Sequence, residues 1–253
     1  GTVIPTTIFS MLLGTAGAAT TAADSLLNHA DRGWALRPHA EIGFLAPMSH
    51  RLQFGQDGSD FDLVADGGQD NLFAVTRWSL DLESGNRTMT LLYQPLNLNT
   101  TREAGFNQTF NDIEIAAGTP VEYRYGFSFW RGSITWDLYP ANERLDWQLG
   151  ASMQIRNATI NVGTIDGSRL TTNRDIGPVP LIKTRLLFDR DEWWWGIEAD
   201  GIYAPVKYFN GSDSDVEGAL LDASVRWGLH ARQGIDPFIN LREAVQTGDV
   251  TTG

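Results

Sequence analysis

From Leu145 to Arg156, in the stretch RLDWQLGASMQIR, apolar and polar side chains alternate without interruption. Leu145, Trp147, Leu149, Ala151, Met153 and Ile155 fall on one side, and Asp146, Gln148, Gly150, Ser152, Gln154 and Arg156 on the other. A period of two marks a β-strand, and this run outlasts the usual strand of about 5 to 6 residues. One face of such a strand needs an apolar medium and the other a polar one. A soluble sandwich supplies these as core and water; a membrane barrel supplies them as lipid outside and a polar lumen inside.

The rest of the chain bears on that choice. Its 253 residues accommodate one large all-β domain or two small ones, and 42% hydrophobic with 20% charged residues exclude a disordered chain. A net charge of -12 leaves nothing to neutralise phosphates over a broad face, so nucleic acid is excluded as a partner. The absence of cysteine removes disulfides, thiolate chemistry and the usual structural zinc sites. No apolar run approaches the roughly 18 residues of a transmembrane helix. Nine tryptophans, 6 tyrosines, 12 phenylalanines and 26 glycines suit aromatic girdles and many turns.

The N-terminal stretch TVIPTTIFSMLLGTAGAATTAADS has an apolar centre followed by small residues, including Ala16-Gly17-Ala18. It is read as the remnant of a secretory signal peptide over residues 1–22, with a barrel over 23–253. Strand candidates lie near 33–45, 71–84, 88–98, 121–139, 144–156, 178–189, 193–206, 217–230 and 235–243. Their connections alternate in length: long at 46–70, 99–120, 157–177 and KYFNGSDSDV, short at GNR, PANE, RDE and ARQG. An up-and-down barrel has this rhythm, with tight turns on the periplasmic rim and long loops outside. Nine strands is an odd count where bacterial barrels have an even one, so a closing strand is expected after Gly253.

The two-faced pattern recurs. The polar set is charged in both signs: Arg37, His39, Glu41, Arg77, Asp81, Asp146, Arg156, Lys183, Arg185, Glu198, Asp200, Asp222, Arg226 and Arg242. In a narrow barrel these charges must pair inside the lumen, because a barrel of about 8 strands is just filled by side chains. The lipid-facing set includes Trp34, Trp78, Trp147, Trp193, Trp195, Tyr203 and Trp227. Segment 121–139 is aromatic on both faces at YGFSFW and resists assignment.

Chemistry-bearing clusters are sparse. His39 with Arg37 and Glu41 shares a strand face without aiming at a common atom, which is lumen pairing rather than catalysis. Ser49-His50 is a weak candidate for a nucleophile and base at the outer rim, since adjacency in sequence does not bring a triad together. His230 sits at a short-turn end, where solvation is its default, and 4 histidines in all give little material for a metal cluster. Asp213, Asp215 and Glu217, and likewise Asp57, Asp60 and Asp62, space hard oxygen ligands for Ca2+ or Mg2+ without completing a known loop, so solvated turns are the plainer reading. No cofactor is otherwise implied.

At IRNATI, NRDIGPVPLIKTR and DGIYAPVKYFNGSDSDVEGALLDASVRWG the chain resembles a family of uncharacterised bacterial outer-membrane β-barrel proteins. The resemblance runs from WALRPHAEIGFLAPMSHRLQFG to DPFINLR. It implies a barrel in the Gram-negative outer membrane and brings no catalytic motif. The expectation is therefore an all-β, transmembrane up-and-down antiparallel barrel of about ten strands, in contact with outer-membrane lipid and lipopolysaccharide. Its role is expected to be non-enzymatic, in surface binding or porin-like restricted passage of small solutes. A lipid A hydrolase or acyltransferase and a soluble periplasmic barrel with an apolar ligand inside are the alternatives.

Overall fold

A computed structural model describes residues 6–17, 28–29, 33–52, 59–110, 113–206, 214–231 and 235–252. Side chains are described at these positions except 6–17, 28–29, 52, 175–176, 203–206, 214–218, 235 and 247–252. Ten antiparallel staves make up the wall. In chain order they are β1 (Thr6–Gly17), β2 (Trp34–Ser49), β3 (Phe73–Ser84), β4 (Arg87–Gln94, continued by Asn97–Glu103) and β5 (Pro120–Asp137). There follow β6 (Leu145–Thr164), β7 (Leu170–Asp189), β8 (Trp193–Val206), β9 (Ser214–Leu229) and β10 (Ile235–Thr252). The two parts of β4 keep one register against β5, Gln94 opposite Phe129 and Asn97 opposite Gly126, with Pro95 interrupting the hydrogen bonding between them.

Each stave pairs with its neighbours in sequence, and β1 closes the ring by pairing with both β10 and β2. Two features differ from what the sequence leads one to expect. Thr6–Gly17, inside the stretch that reads as leader, stands in the sheet between β10 and β2 as a stave of its own. Its apolar centre suits either role; in the sheet Met11 stands opposite Phe44 and Leu241, and Leu13 opposite Ile42 and Ile239. The third long connection, expected over 157–177, is zipped into the sheet, for the β6–β7 ladder runs from Leu145 opposite Phe188 to Gly163 opposite Leu170. Only Ile165–Arg169 remain as a turn.

The short rim is made by tight connections. Between β3 and β4 it is Gly85-Asn86, where Gly85 takes φ 59°, a left-handed conformation that the hairpin demands and that glycine adopts without penalty. At the opposite rim the long connections carry small hairpins, Arg51–Leu52 with Phe61–Asp62 and Gln108–Phe110 with Ile113–Ile115. On the nine staves whose side chains are described, β2 to β10, the outer wall is apolar. Ile42 is 65% exposed, Ile155 53% and Trp227 48%, with Trp78, Leu91, Trp130, Leu149, Ile182, Ile197, Val225 and Leu241 also exposed. A soluble monomer does not present a continuous belt of this kind, whereas a barrel in lipid requires it.

Candidate functional site

The lumen is the part of the molecule with chemistry, and it is built in storeys. Alternation along every stave turns one residue in two inward. At the short-turn rim the inward residues leave a vestibule of about 320 Å³, lined among others by Arg37, His39, Asp146, Gln148, Arg185 and Trp194. Arg37 is a rim residue here, its Nε 2.8 Å from Glu83 Oε2 and its side chain 49% exposed. Asp146 accepts a hydrogen bond from Gln148 Nε2 at 2.7 Å.

Above the vestibule lies a storey of buried charge. Asp81 is held by Arg185 at 2.7 Å and by the Thr90 hydroxyl at 2.7 Å, with His39 3.4 Å away. Glu198 meets Lys183 at 2.7 Å and Arg226 at 3.4 Å. Glu41 lies 3.4 Å from Arg226 and 3.8 Å from Arg77, and accepts from Asn240 Nδ2 at 2.7 Å. Asp200 collects Lys183 at 3.0 Å, Arg131 at 2.8 Å and the Ser152 hydroxyl at 2.6 Å. Asp222 is bound by Arg131 at 2.8 Å and by Arg242, which also donates to Gln94. Each carboxylate has at least one cation against it. An isolated charge could not persist at such depth, so the storey stands or falls as a lattice.

Arg131 is not among the expected lumen residues, yet it is one of the largest fully buried side chains and donates from Nε and Nη2 to Gln154 Oε1 at 3.0 and 2.6 Å. It lies in the stretch whose faces resist assignment. Counting back by two from Asp137 through Thr135 and Ser133 places it inside, which is the signal that could have found it. Arg156 lies half-buried one storey higher.

The next storey is apolar: Leu45, Val75, Leu92, Leu96, Leu98, Phe127 and Phe129 pack together inside β2 to β5. Over it the long connections form a lid. Phe61, Leu63, Phe110 and Ile115 from these connections pack on Val121, Tyr123 and Val162 of β5 and β6, and the Tyr123 hydroxyl donates to Gln108 Oε1 at 2.8 Å. His50 belongs to this lid. It is 3% exposed, shares a hydrogen bond between Nδ1 and Gln69 Oε1 at 2.9 Å, and stands edge-on to Tyr125. Burial pushes its pKa down to about 4, so it is a neutral packing group. Ser49, beside it, is half-buried.

The other expected sites fall as follows. Trp78, Trp147, Trp193 and Trp227 are exposed on the outer wall, and Trp34 and Trp195 are half-buried. The Tyr203, Asp215 and Glu217 side chains, and Asp57 and Asp213 entirely, lie outside what is described. Asp62 caps its own turn, accepting from the Val64 and Ala65 amides. Among the described residues no group of three or more His, Asp or Glu is placed to hold a metal ion. His230 joins the β9–β10 turn to two carboxylates, Asp189 at 2.7 Å and Asp236 at 3.2 Å.

A closed ring of staves, an apolar belt and an ionic lumen together define a transmembrane β-barrel of the bacterial outer-membrane type. Among the solved structures that are similar at low level are two outer-membrane proteins. Ail, the attachment invasion locus protein of Yersinia pestis, crystallised with the heparin analogue sucrose octasulfate, has 6% identity and a TM-score of 0.32, over 98% of this chain and 100% of Ail. The outer membrane protease OmpT of Escherichia coli has 12% identity and a TM-score of 0.26, over 98% of this chain and 97% of OmpT. At these values the class rests on the chain's own geometry. No family model matches the sequence, and no curated protein sequence does.

Proposed function

We propose that the protein is a non-enzymatic outer-membrane barrel, shut to solute flow, whose work is done by its long-loop surface. The observation that carries this reading is the stacking of three closures in one lumen: paired charge, then packed aromatics, then a lid. A water-filled pore needs an uninterrupted polar path, and the Leu45–Phe129 storey lines β2 to β5 with apolar side chains instead. Purified protein in planar bilayers should show no stepwise conductance. Ohmic channels in the unaltered protein would overturn the reading.

The surface partner that suits this location is lipopolysaccharide of the outer leaflet. Immediately above the apolar belt the outer wall turns polar, and one cross-strand row reads Asn99, Arg124, Asn161 and Thr172. Amides, a hydroxyl and a guanidinium at headgroup height match phosphorylated sugars. Arg124 is 58% exposed beside Glu122. An Arg124→Glu variant should retain less lipopolysaccharide through purification in mild detergent than the unaltered protein.

A further inference from the structure

The wall is not hydrogen-bonded over its full height. Pairing between β7 and β8 begins at Asp189 opposite Trp194 and stops at Ile182 opposite Gly201. Both staves continue beyond that point, β7 up to Leu170 and β8 up to Val206, each still paired on its far side. From Leu181 to Gly177, no described strand meets β7 on its β8 side.

The sequence explains the parting. In an antiparallel ladder, residues alternately turn their N–H and C=O to one neighbour and then to the other. The β6–β7 ladder runs unbroken through Ile155 opposite Pro178 and Met153 opposite Pro180. Proline has no N–H, so neither can occupy a donating position toward β6; their missing donors face β8. The same reasoning holds for Pro205, which keeps its place opposite Glu217 in the β8–β9 ladder and so lacks its donor toward β7. Continuing the register past Ile182 and Gly201 would set Pro178 directly opposite Pro205 and Pro180 opposite Tyr203. Three of the donors needed to close this seam do not exist.

The seam lies at belt height. Ile155 and Met153, beside Pro178 and Pro180, are exposed on the outer wall, as is Leu221 beside Gly201. Just inside, Leu181 is buried and Ile202 and Leu220 are half-buried, each one step above the charged Lys183, Asp200 and Asp222, with half-buried Val179 one step higher. An open edge in hydrocarbon is costly, because lipid cannot satisfy backbone groups. A shorter parting between β3 and β4, above Trp78 and Tyr93, is sealed differently: Leu96 and Leu98 are buried behind it, and higher up Thr100 and Arg102 donate to the carbonyls of Gly67 and Ala65.

We propose that the proline-lined seam between β7 and β8 is a lateral site for one acyl chain of a membrane lipid, entering from the leaflet on the long-loop side. The chemistry of the occupant follows from depth. At this level the surroundings are hydrocarbon, the walls are Pro178, Pro180, Val179, Leu181 and Ile202, and a chain without hydrogen-bonding groups asks nothing of the absent donors. The charged storey beneath stops it from going deeper.

The test uses the whole protein in lipid vesicles containing a phospholipid with a diazirine at mid-chain. After irradiation, adducts are mapped by mass spectrometry. Inward-facing Val179 and Leu181 should be labelled as heavily as outward-facing Ile155, while Leu45 and Leu92, equally apolar but behind paired staves, stay unlabelled. In a Pro178→Val/Pro180→Val variant, which restores two donors, labelling at Leu181 should fall to the level of Leu92. Should that variant fail to fold, Leu181→Cys in this cysteine-free chain gives a second reading: a maleimide carried on a lipid tail should modify it and a membrane-impermeant one should not. Labelling at Val179 and Leu181 no higher than at Leu45 and Leu92 overturns the proposal. So would cross-links from this edge to a strand of another protein chain.

Discussion

Arg131 shows how much a single side chain can hold in such a lumen. It bridges Asp200 and Asp222 and fills the acceptor of Gln154. Replacing it with methionine keeps the volume and removes the charge, leaving two buried carboxylates to share Lys183 and Arg242. Breaking a buried pair costs about 3 to 5 kcal/mol, and the surviving cations put Arg131→Met near the lower end. Arg37→Ala removes an exposed rim pair and should cost about 0 to 1 kcal/mol. Urea titration of both variants in vesicles separates the two cases; equal losses would mean that the buried lattice has no special weight. His50 gives a second residue-scale expectation. Its folded pKa is lowered to about 4 from 6.5, so the unfolded lid takes up the proton first. The lid is therefore stable above about pH 6.5 and weakens as pH falls toward 4, by about 3 kcal/mol at most. Proteolysis at 61–69 should speed up across that window in the unaltered protein and lose its pH dependence in His50→Phe.

At the scale of the element, β5 and β6 are held together closely. A Cβ on Gly150 would run into the Ile134 carbonyl oxygen, so the ladder tolerates no side chain there. Gly150→Ala should force the staves apart, at a cost of order 2 to 3 kcal/mol, and lower the yield of folded barrel on gel mobility without heating. The short rim carries a pH-dependent clasp. Burial of the His230 ring opposes its protonation, but hydrogen bonds to Asp189 and Asp236 outweigh this and raise its pKa above 6.5. A raised pKa means that the clasp contributes fully below about pH 6.5 and is lost as pH rises through the folded value. Amide exchange at Ala231 should accelerate over that rise, and not in His230→Gln. These same elements show what is legible in the sequence. Alternation alone assigns Trp147, Leu149, Met153 and Ile155 of β6 to one face, and all four are exposed on the outer wall. The pattern becomes unreadable at YGFSFW because Phe127 and Phe129 face an apolar storey inside while Trp130 faces lipid outside. Thr6–Gly17 reads as leader because an apolar centre with small flanks suits export and a strand alike, and its register on β2 and β10 is not written in that pattern.

Over the whole molecule, the medium changes with height, and on β5 and β6 the pattern inverts with it. On β6 the outward residues are apolar from Trp147 to Ile155 and polar from Asn157 to Asn161; the inward residues go the other way, from Gln148 and Gln154 to Ile160 and Val162. The lower half is written for lipid outside and charge inside. The upper half is written like a soluble sheet, with water outside and the lid's core inside. This is why 157–177 reads as a loop: a search for apolar residues on the outward face of β6 finds none above Ile155, where there is no lipid. The inversion makes a direct prediction, since Leu149 and Asn157 lie on the same stave and the same face in different surroundings. An arginine on the lipid face near mid-belt costs about 2 to 4 kcal/mol, falling to about 0 to 1 near the interface. Leu149→Arg should therefore lose most of that range in a urea titration in vesicles, and Asn157→Arg almost nothing. In detergent-free buffer, with water on both, the gap would have no cause. If the two variants lose the same in vesicles, the boundary of the hydrocarbon does not lie between them, and neither the belt nor the seam at Pro178 is placed where these residues put it.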